Sequence, residues 1–292
     1  MFRGRVQDGR LYTVYGKEEY GFPMDDQELD RIDLCHAKYY ALLDKKRFLA
    51  PIPSHPQKVL DLGCGTGERP HWQPPGLWWS ANTAAPEVIG IDIAPTQPEW
   101  VPPNCRFELN DMEQPWTWPE NHFDFIFARD LILSVRDYPK LIDEIYRHLK
   151  PGGYVEFQSV TGTIQCDDGT LPPDPTGSAL RSLSEHLRVA AAKFGAPVDD
   201  PARWRAWLAG RGFECPAAQE HVYKVPVNPW PRDQRLKLVG AFEQENLLSN
   251  LTGMTLRLFR RALGWSAAEV DAFNAGVRRE VRDWRYHAYW PL

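Results

Sequence analysis

The stretch Val59-Leu60-Asp61-Leu62-Gly63-Cys64-Gly65-Thr66-Gly67 constrains this chain more than any other. An apolar run ends on an acid, and glycines then recur at every second position. A strand that stops in such a turn lets its backbone approach a ligand closely. A Cβ at those positions would collide or forbid the required dihedrals. Backbone N–H groups in the turn can then hold an anion. The spacing differs from the dinucleotide fingerprint G-x-G-x-x-G, because the third glycine arrives one residue early and Asp61 stands before the first.

Around this turn, short apolar runs alternate with turn or helical segments. Lys58–Leu62, Val88–Ile93, Cys105–Leu109, Phe123–Ala128 and Tyr154–Ser159 read as five strands. Leu141, Ile142, Ile145, Tyr146 and Leu149 form a helix face between the last two, closed by Pro151-Gly152-Gly153. Strands alternating with helices imply an α/β fold with a mainly parallel, Rossmann-like sheet flanked by helices. Before the sheet, residues 1–24 read as an irregular arm. A helix then starts at Asp25 or Asp26, with Glu28 placed for a capping box and an apolar stripe through Leu29, Ile32, His36, Tyr39 or Tyr40, and Leu43. After a Gly/Pro/Asp-rich loop, Leu180, Leu183, Leu187, Ala191 and Phe194 mark a helix ending at Gly195. Asp200-Pro201 opens another with Trp204, Trp207 and Leu208. Phe213–Val227 reads as a strand pair or one long strand. Ser266 and Glu269 make a capping box before Val270, Phe273, Val277 and Val281. The expected organisation is an arm and helix over 1–57, an α/β core over 58–160, and substrate-side helices with remaining sheet elements over 161–292, all in one compact domain.

Charge and cysteine usage narrow the setting. Lysine and arginine number 34 against 39 aspartate and glutamate, a net charge of -5, so direct nucleic-acid binding or an anionic membrane partner is not expected. No apolar run approaches the roughly 18 residues of a membrane span. Five scattered cysteines without a C-x-x-C pair fit reduced thiols inside a cell and no metal site. The expectation is a soluble cytoplasmic protein of undetermined oligomeric state. The 12 tryptophans, Trp204, Trp207, Trp230, Trp284 and Trp290 among them, read mainly as packing.

In parallel sheets the ligand lies at the carboxyl ends of the strands. Those ends carry Gly63–Gly67, Asp92, Asn110-Asp111, Arg129-Asp130 and Gln158. Asp92 is placed to accept from the two hydroxyls of a ribose, or alternatively to cap the next helix. Asp111 is placed to accept from an adenine amino group, or alternatively to serve a turn. Ile93 and Met112 would supply apolar walls. An acid before G-x-G-x-G suits a ligand with a carboxylate and positive charge, and S-adenosylmethionine is such a ligand. Methyl transfer from it is an in-line displacement whose leaving group needs no proton, so alignment supplies much of the acceleration. Among the eight histidines, His36 and His148 read as stripe or helix-face residues, and no catalytic base is assigned.

With these residues in view, the chain resembles the fungal LaeA-like family of class I S-adenosylmethionine-dependent methyltransferases. The resemblance runs through Asp26-Gln27-Glu28-Leu29-Asp30-Arg31-Ile32-Asp33, Val88–Pro95, Gln97–Cys105, Glu113–Pro119, Phe123–Ile126, Leu149–Glu156, Leu263–Ser266 and His287–Pro291. It implies that Asp61, Gly63, Gly65 and Gly67 carry the methionine end, Asp92 the ribose, and Asp111 with Met112 the adenine. Arg129 borders the sulfonium side, mainly through its backbone. It further implies methylation of a small-molecule intermediate of fungal secondary metabolism. Two other readings are a nuclear regulator associated with velvet-type proteins and a cyclase-like use of the same pocket. Two stretches depart from the family. Gly67 is followed by Glu68–Trp79, whose three prolines break the expected helix. The chain ends at Trp290-Pro291-Leu292, where relatives resume with a final strand antiparallel to the sheet, so an unpaired edge is expected.

Overall fold

A computed structural model describes residues 4–16, 20–67, 86–98 and 100–292. The proline-rich stretch after Gly67 therefore lies outside the described residues. A hairpin of β1 (Arg5–Gln7) and β2 (Arg10–Tyr12) precedes helix α1 (Asp26–Leu42). The central sheet is built from β3 (Lys58–Leu62), β4 (Glu87–Asp92), β5 (Cys105–Leu109), β6 (Phe123–Arg129) and β7 (Leu149–Gln158). Its order is β5-β4-β3-β6-β7 and every pairing is parallel. The chain leaves β3 to one side through β4 and β5, then returns past it to β6. The strand order thus reverses beside β3, where a crevice opens at the carboxyl ends.

Side chains alternate across β3 and β6 as the two-residue period requires. Leu60, Leu62, Ile126 and Ala128 pack under α2 (Tyr138–His148) with Leu141 and Ile145, while Val59, Phe125 and Phe127 face Phe48 and Ile52. Tyr146, expected on the buried face of α2, is instead 40% exposed and meets Phe213 edge-on at 5.1 Å. The fifth strand begins earlier than expected, at Leu149. The Pro151–Gly153 stretch is taken up by a register shift against Phe123 and Phe125.

The rest of the chain is largely helical, with α3 (Ala179–Phe194), α4 (Trp204–Arg211), α5 (Gln234–Ala262) and α6 (Ala267–Val281). Gly195 ends α3 in the left-handed conformation expected of a C-terminal glycine. The Ser266–Glu269 capping box of α6 forms in full. Of the strand expected over Phe213–Val227, only β8 (Lys224–Pro226) forms, and it pairs antiparallel with β9 (Tyr289–Pro291). Val225 and Trp290 from this ribbon join the apolar core of α3, α5 and α6. The chain's last residues are therefore paired in a separate two-stranded ribbon. Among the described residues no helix is long and apolar enough to cross a membrane.

Helix α1 departs most from its sequence pattern. Asp25 caps it by accepting from Glu28 N at 3.2 Å, but the Glu28 side chain does not return to the cap. It binds Arg31 Nη2 at 2.7 Å and also receives the Asn250 amide. The fully buried face is Glu28, Cys35, Lys38, Tyr39 and Leu42, turned largely toward α5. Lys38 Nζ meets Glu243 Oε2 at 2.7 Å, with the two side chains only 3% and 5% exposed. Asn246 joins both halves of this seam, accepting from Arg31 and donating to Glu243 at 3.1 Å. At Asn250 the α5 backbone leaves helical angles, with φ at -127°. Its side-chain oxygen accepts from Arg10 Nη1 at 3.0 Å. Gly253 makes room, because a Cβ there would overlap both Asn250 and Arg10.

Removing one member of a buried ion pair leaves the other charged and desolvated. Lys38→Met is expected to destabilise the fold by about 3–5 kcal/mol, whereas Lys38→Met with Glu243→Leu recovers most of that loss. Urea unfolding of the two variants checks this.

Candidate functional site

The glycine turn leaves β3 with Gly63, Gly65 and Gly67 at φ of 67°, 61° and 61°, a region L side chains rarely occupy. Three ties hold it. Gly65 N donates to Asp92 Oδ2 at 2.8 Å, Thr66 Oγ1 donates to Asp33 Oδ1 at 2.8 Å, and Gly65 O accepts from Gln97 Nε2 at 2.7 Å. The other Asp92 oxygen accepts from Ala94 N at 2.9 Å. One carboxylate thus joins the turn after β3 to the turn after β4. With the Ile93 N–H also on it, the carboxylate still has acceptor capacity for a further donor.

Gly63, Gly65, Asp92, Ile93, Asp111, Met112 and Arg129 line a single cleft at the carboxyl ends of β3, β4, β5 and β6. Two expected residues do not line it. Asp61 sits within β3, in register with Gly90 and Phe127. Gly67 packs under the Phe107 ring, where an added Cβ would lie 2.5 Å from the ring edge. Asp111 lines the cleft and also serves a turn: Oδ1 accepts from Glu113 N at 3.0 Å and Oδ2 from Gln114 Nε2 at 3.3 Å. Met112 closes the apolar wall beside Leu131 and anchors Trp116, whose indole donates to the Met112 carbonyl at 3.0 Å.

The opposite wall belongs to α1, through Arg31, Ile32, Asp33, Cys35, His36 and Tyr39. The stripe expected to be core faces the cleft at Ile32 and His36, and Tyr39 spans both faces. Asp33 lay within the familial run before the first strand, and that position was its one sequence signal. Tyr39 Oη donates to Asp130 Oδ1 at 2.9 Å. Asp130 adopts φ of 58°, which aspartate tolerates better than most residues. Burial raises the Tyr39 phenol well above its ordinary range, and the contact with Asp130 adds to this, so the hydroxyl stays a donor.

The Arg129 guanidinium does more than border the cleft through its backbone. Nε donates to Gln158 Oε1 at 2.7 Å, Nη2 to the Arg47 carbonyl, and Nη1 faces His36 Nδ1 at 3.0 Å. The group also lies over the Tyr39 and Phe127 rings, 5.1 and 4.9 Å from their centroids. It pins α1 and the turn after it onto the ends of β6 and β7. Guanidinium only donates, so His36 Nδ1 is the acceptor and the neutral ring carries its proton on Nε2.

The comparisons with known proteins fall in line with this geometry. A family model described as a methyltransferase domain matches residues 35–217. The methyltransferase pytC of Aspergillus terreus is 36% identical over 99% of this chain and 86% of its own length. The chain belongs to the LaeA-like methyltransferase family. The secondary metabolism regulator LAE1 of Cochliobolus heterostrophus is 35% identical over 97% of this chain and 91% of its own. The probable methyltransferase tdiE of Emericella nidulans is 30% identical over 91% and 80%. This member is a methyltransferase of fungal secondary-metabolism type with S-adenosylmethionine as its cofactor. The residues present suit that cofactor chemically, with bare glycine backbone at Gly63 and Gly65 and the Asp92 carboxylate together in the cleft wall.

Long-range proton–nitrogen spectra at pH 7.5 are expected to show His36 with an unprotonated Nδ1. A proton on Nδ1 would contradict the donor role of Arg129.

Proposed function

We propose that this methyltransferase acts on a small-molecule intermediate of secondary metabolism, with its cofactor held along the strand ends from β6 across to β5. The observation that carries the cofactor placement is the Asp92 carboxylate, which takes the N–H groups of Gly65 and Ala94 at the cleft wall and has acceptor capacity left for a further donor. In this reading the bare backbone at Gly63 and Gly65 takes the methionine end, Asp92 the ribose hydroxyls, and Ile93 and Met112 the faces of the adenine. Asp111 contributes through its turn, which fixes Met112 and Glu113, and its carboxylate stands at the adenine edge. Asp61 acts by its charge and Gly67 by its fit against Phe107.

When bound, the cofactor supplies a methyl group on a sulfonium that leaves as a neutral thioether. The protein's share is positioning. Arg129 fixes His36 and Tyr39 on α1, and Asp130 keeps the Tyr39 hydroxyl aimed at the strand ends.

Burial pushes the Asp92 carboxyl above the ordinary carboxylate range, and the charge of Asp61 adds to this, while N–H groups of Ala94, Gly65 and Ile93 oppose it. A raised acid favours the fold below the ordinary carboxylate range and loses that contribution as pH rises through its own value. Ligand binding has the opposite sign, because ribose hydroxyls need an ionised acceptor. Affinity for S-adenosylhomocysteine is expected to fall on acidification from pH 7.5, starting above the range of an exposed aspartate. Asp92→Asn should weaken binding about tenfold or more and flatten that profile. Calorimetry across pH checks both, and an unchanged Kd in Asp92→Asn would overturn the placement.

The substrate class has its own test. With methyl-labelled cofactor and a low-molecular-weight extract of a producing fungus, label is expected in a solvent-extractable product. Label confined to protein would overturn a small-molecule acceptor. The likeness to LAE1, named as a secondary metabolism regulator, favours a second reading in which the chain regulates secondary metabolism. That reading predicts altered transcript levels of many biosynthetic genes on deletion, where a pathway enzyme would change one product family.

A further inference from the structure

The hairpin β1–β2 and the residues after it have no part in the cleft as read so far, yet they are tied to both α5 and the strand ends. The buried Arg257 of α5 stacks on Tyr12, 4.1 Å from the ring centroid, and its Nη1 donates to the Tyr20 carbonyl at 2.9 Å. Arg10 binds Asp25 and Asn250, and Arg260 reaches Asp8. One guanidinium therefore fixes the chain just before Thr13 and again at Tyr20.

Between those points the chain touches the sheet. Thr13 Oγ1 donates to the Ile93 carbonyl at 3.2 Å, and Tyr15 Oη to the Leu109 carbonyl at 3.2 Å. Ile93 directly follows Asp92, and Leu109 ends β5 two residues before Asp111. Gly16 and Tyr20 then enter the cleft wall. The two hydroxyls thus grip the backbone beside the two acids at the nucleoside end. Apolar burial does not hold this segment, since Val14 is 60% exposed and Tyr15 37%. Side-chain hydroxyls on carbonyls are single weak tethers that open without unpacking a core.

We propose that residues 13–16 form a latched outer wall over the nucleoside end of the cofactor cleft. Thr13 and Tyr15 are the latch and Arg257 is its anchor, so that the latch sets how fast the spent cofactor leaves. This rests on the cleft assignment above. Thr13 and Tyr15 are positioning residues, acting through the backbone they hold.

The test uses the full chain carrying Thr13→Ala and Tyr15→Phe together, surface changes that remove two hydroxyls and little packing. Affinity for S-adenosylhomocysteine and for adenosine is expected to fall by about tenfold for each, with the loss appearing as faster release in stopped flow. The melting temperature should stay near that of the parent. Thr13→Ser, which keeps the hydroxyl, should bind and release as the parent does. Unchanged affinity and release in the double variant, while Asp92→Asn still weakens binding, would overturn the latch and leave the cleft assignment standing. Unchanged binding in Asp92→Asn, or no binding by the parent chain, would remove the assignment and the latch with it.

Discussion

The buried pair of Lys38 and Glu243 is the contact on which the rest of the cleft depends. Two ions that are 3% and 5% exposed have lost most of their hydration, and only close approach with further hydrogen bonds offsets that loss. The requirement fixes α1 on α5 more narrowly than apolar contact would, because a helix sliding by one residue would strand both charges. Glu28, Arg31, Asn246 and Asn250 extend the same demand along the helix pair. Two neighbouring details follow from it, the break in α5 at Asn250 and the glycine at 253.

What the seam fixes on one side of α1, the cleft uses on the other. Asp33 receives the Thr66 hydroxyl from the glycine turn, so the turn is registered against α1 as well as against Asp92. Tyr39 and His36 meet Asp130 and Arg129 at the end of β6. The path from α5 through α1 to the strand ends is therefore continuous, with hydrogen bonds at each joint. Methyl transfer rewards such a scaffold, since alignment of acceptor and methyl carries much of the rate.

The relatives at 30–36% identity include proteins named as methyltransferases and others named as regulators of secondary metabolism, and these match over most of this chain's length. Similarity at that level identifies the reaction and leaves the acceptor to the cleft. Here the wall nearest α1 is polar, with Arg31, Asp33, His36 and Asp130, while Leu131, Met112 and Ile93 line the opposite part. The Tyr39 hydroxyl in that wall already donates to Asp130. A histidine whose Nδ1 already accepts from Arg129 is poorly suited to remove a proton through that atom.

The sequence alone determined the parallel sheet, the glycine turn and the positions of Asp92, Asp111 and Met112. Those features depend on local periodicity, on dihedrals that only glycine adopts readily, and on strand ends that lie within a few residues of their motif. It also placed the α3 and α6 caps, which need only neighbouring residues. Tertiary structure decided the rest. On helix α1 the apolar stripe captures Tyr39 and Leu43, which are buried, but a periodicity count treats Glu28 and Lys38 as solvent-facing, and they meet Asn250 and Glu243 more than 200 residues away. The strand expected over Phe213–Val227 shrank to Lys224–Pro226 because its pairing partner is the distant end of the chain. The arm became a hairpin with tethers to Ile93 and Leu109 through contacts 80 and 94 residues apart. Arg129 became a clamp between α1, β6 and β7. A residue's own neighbours in the chain carry its dihedral preference, but whether a charge is buried and what satisfies it is settled only when distant segments meet.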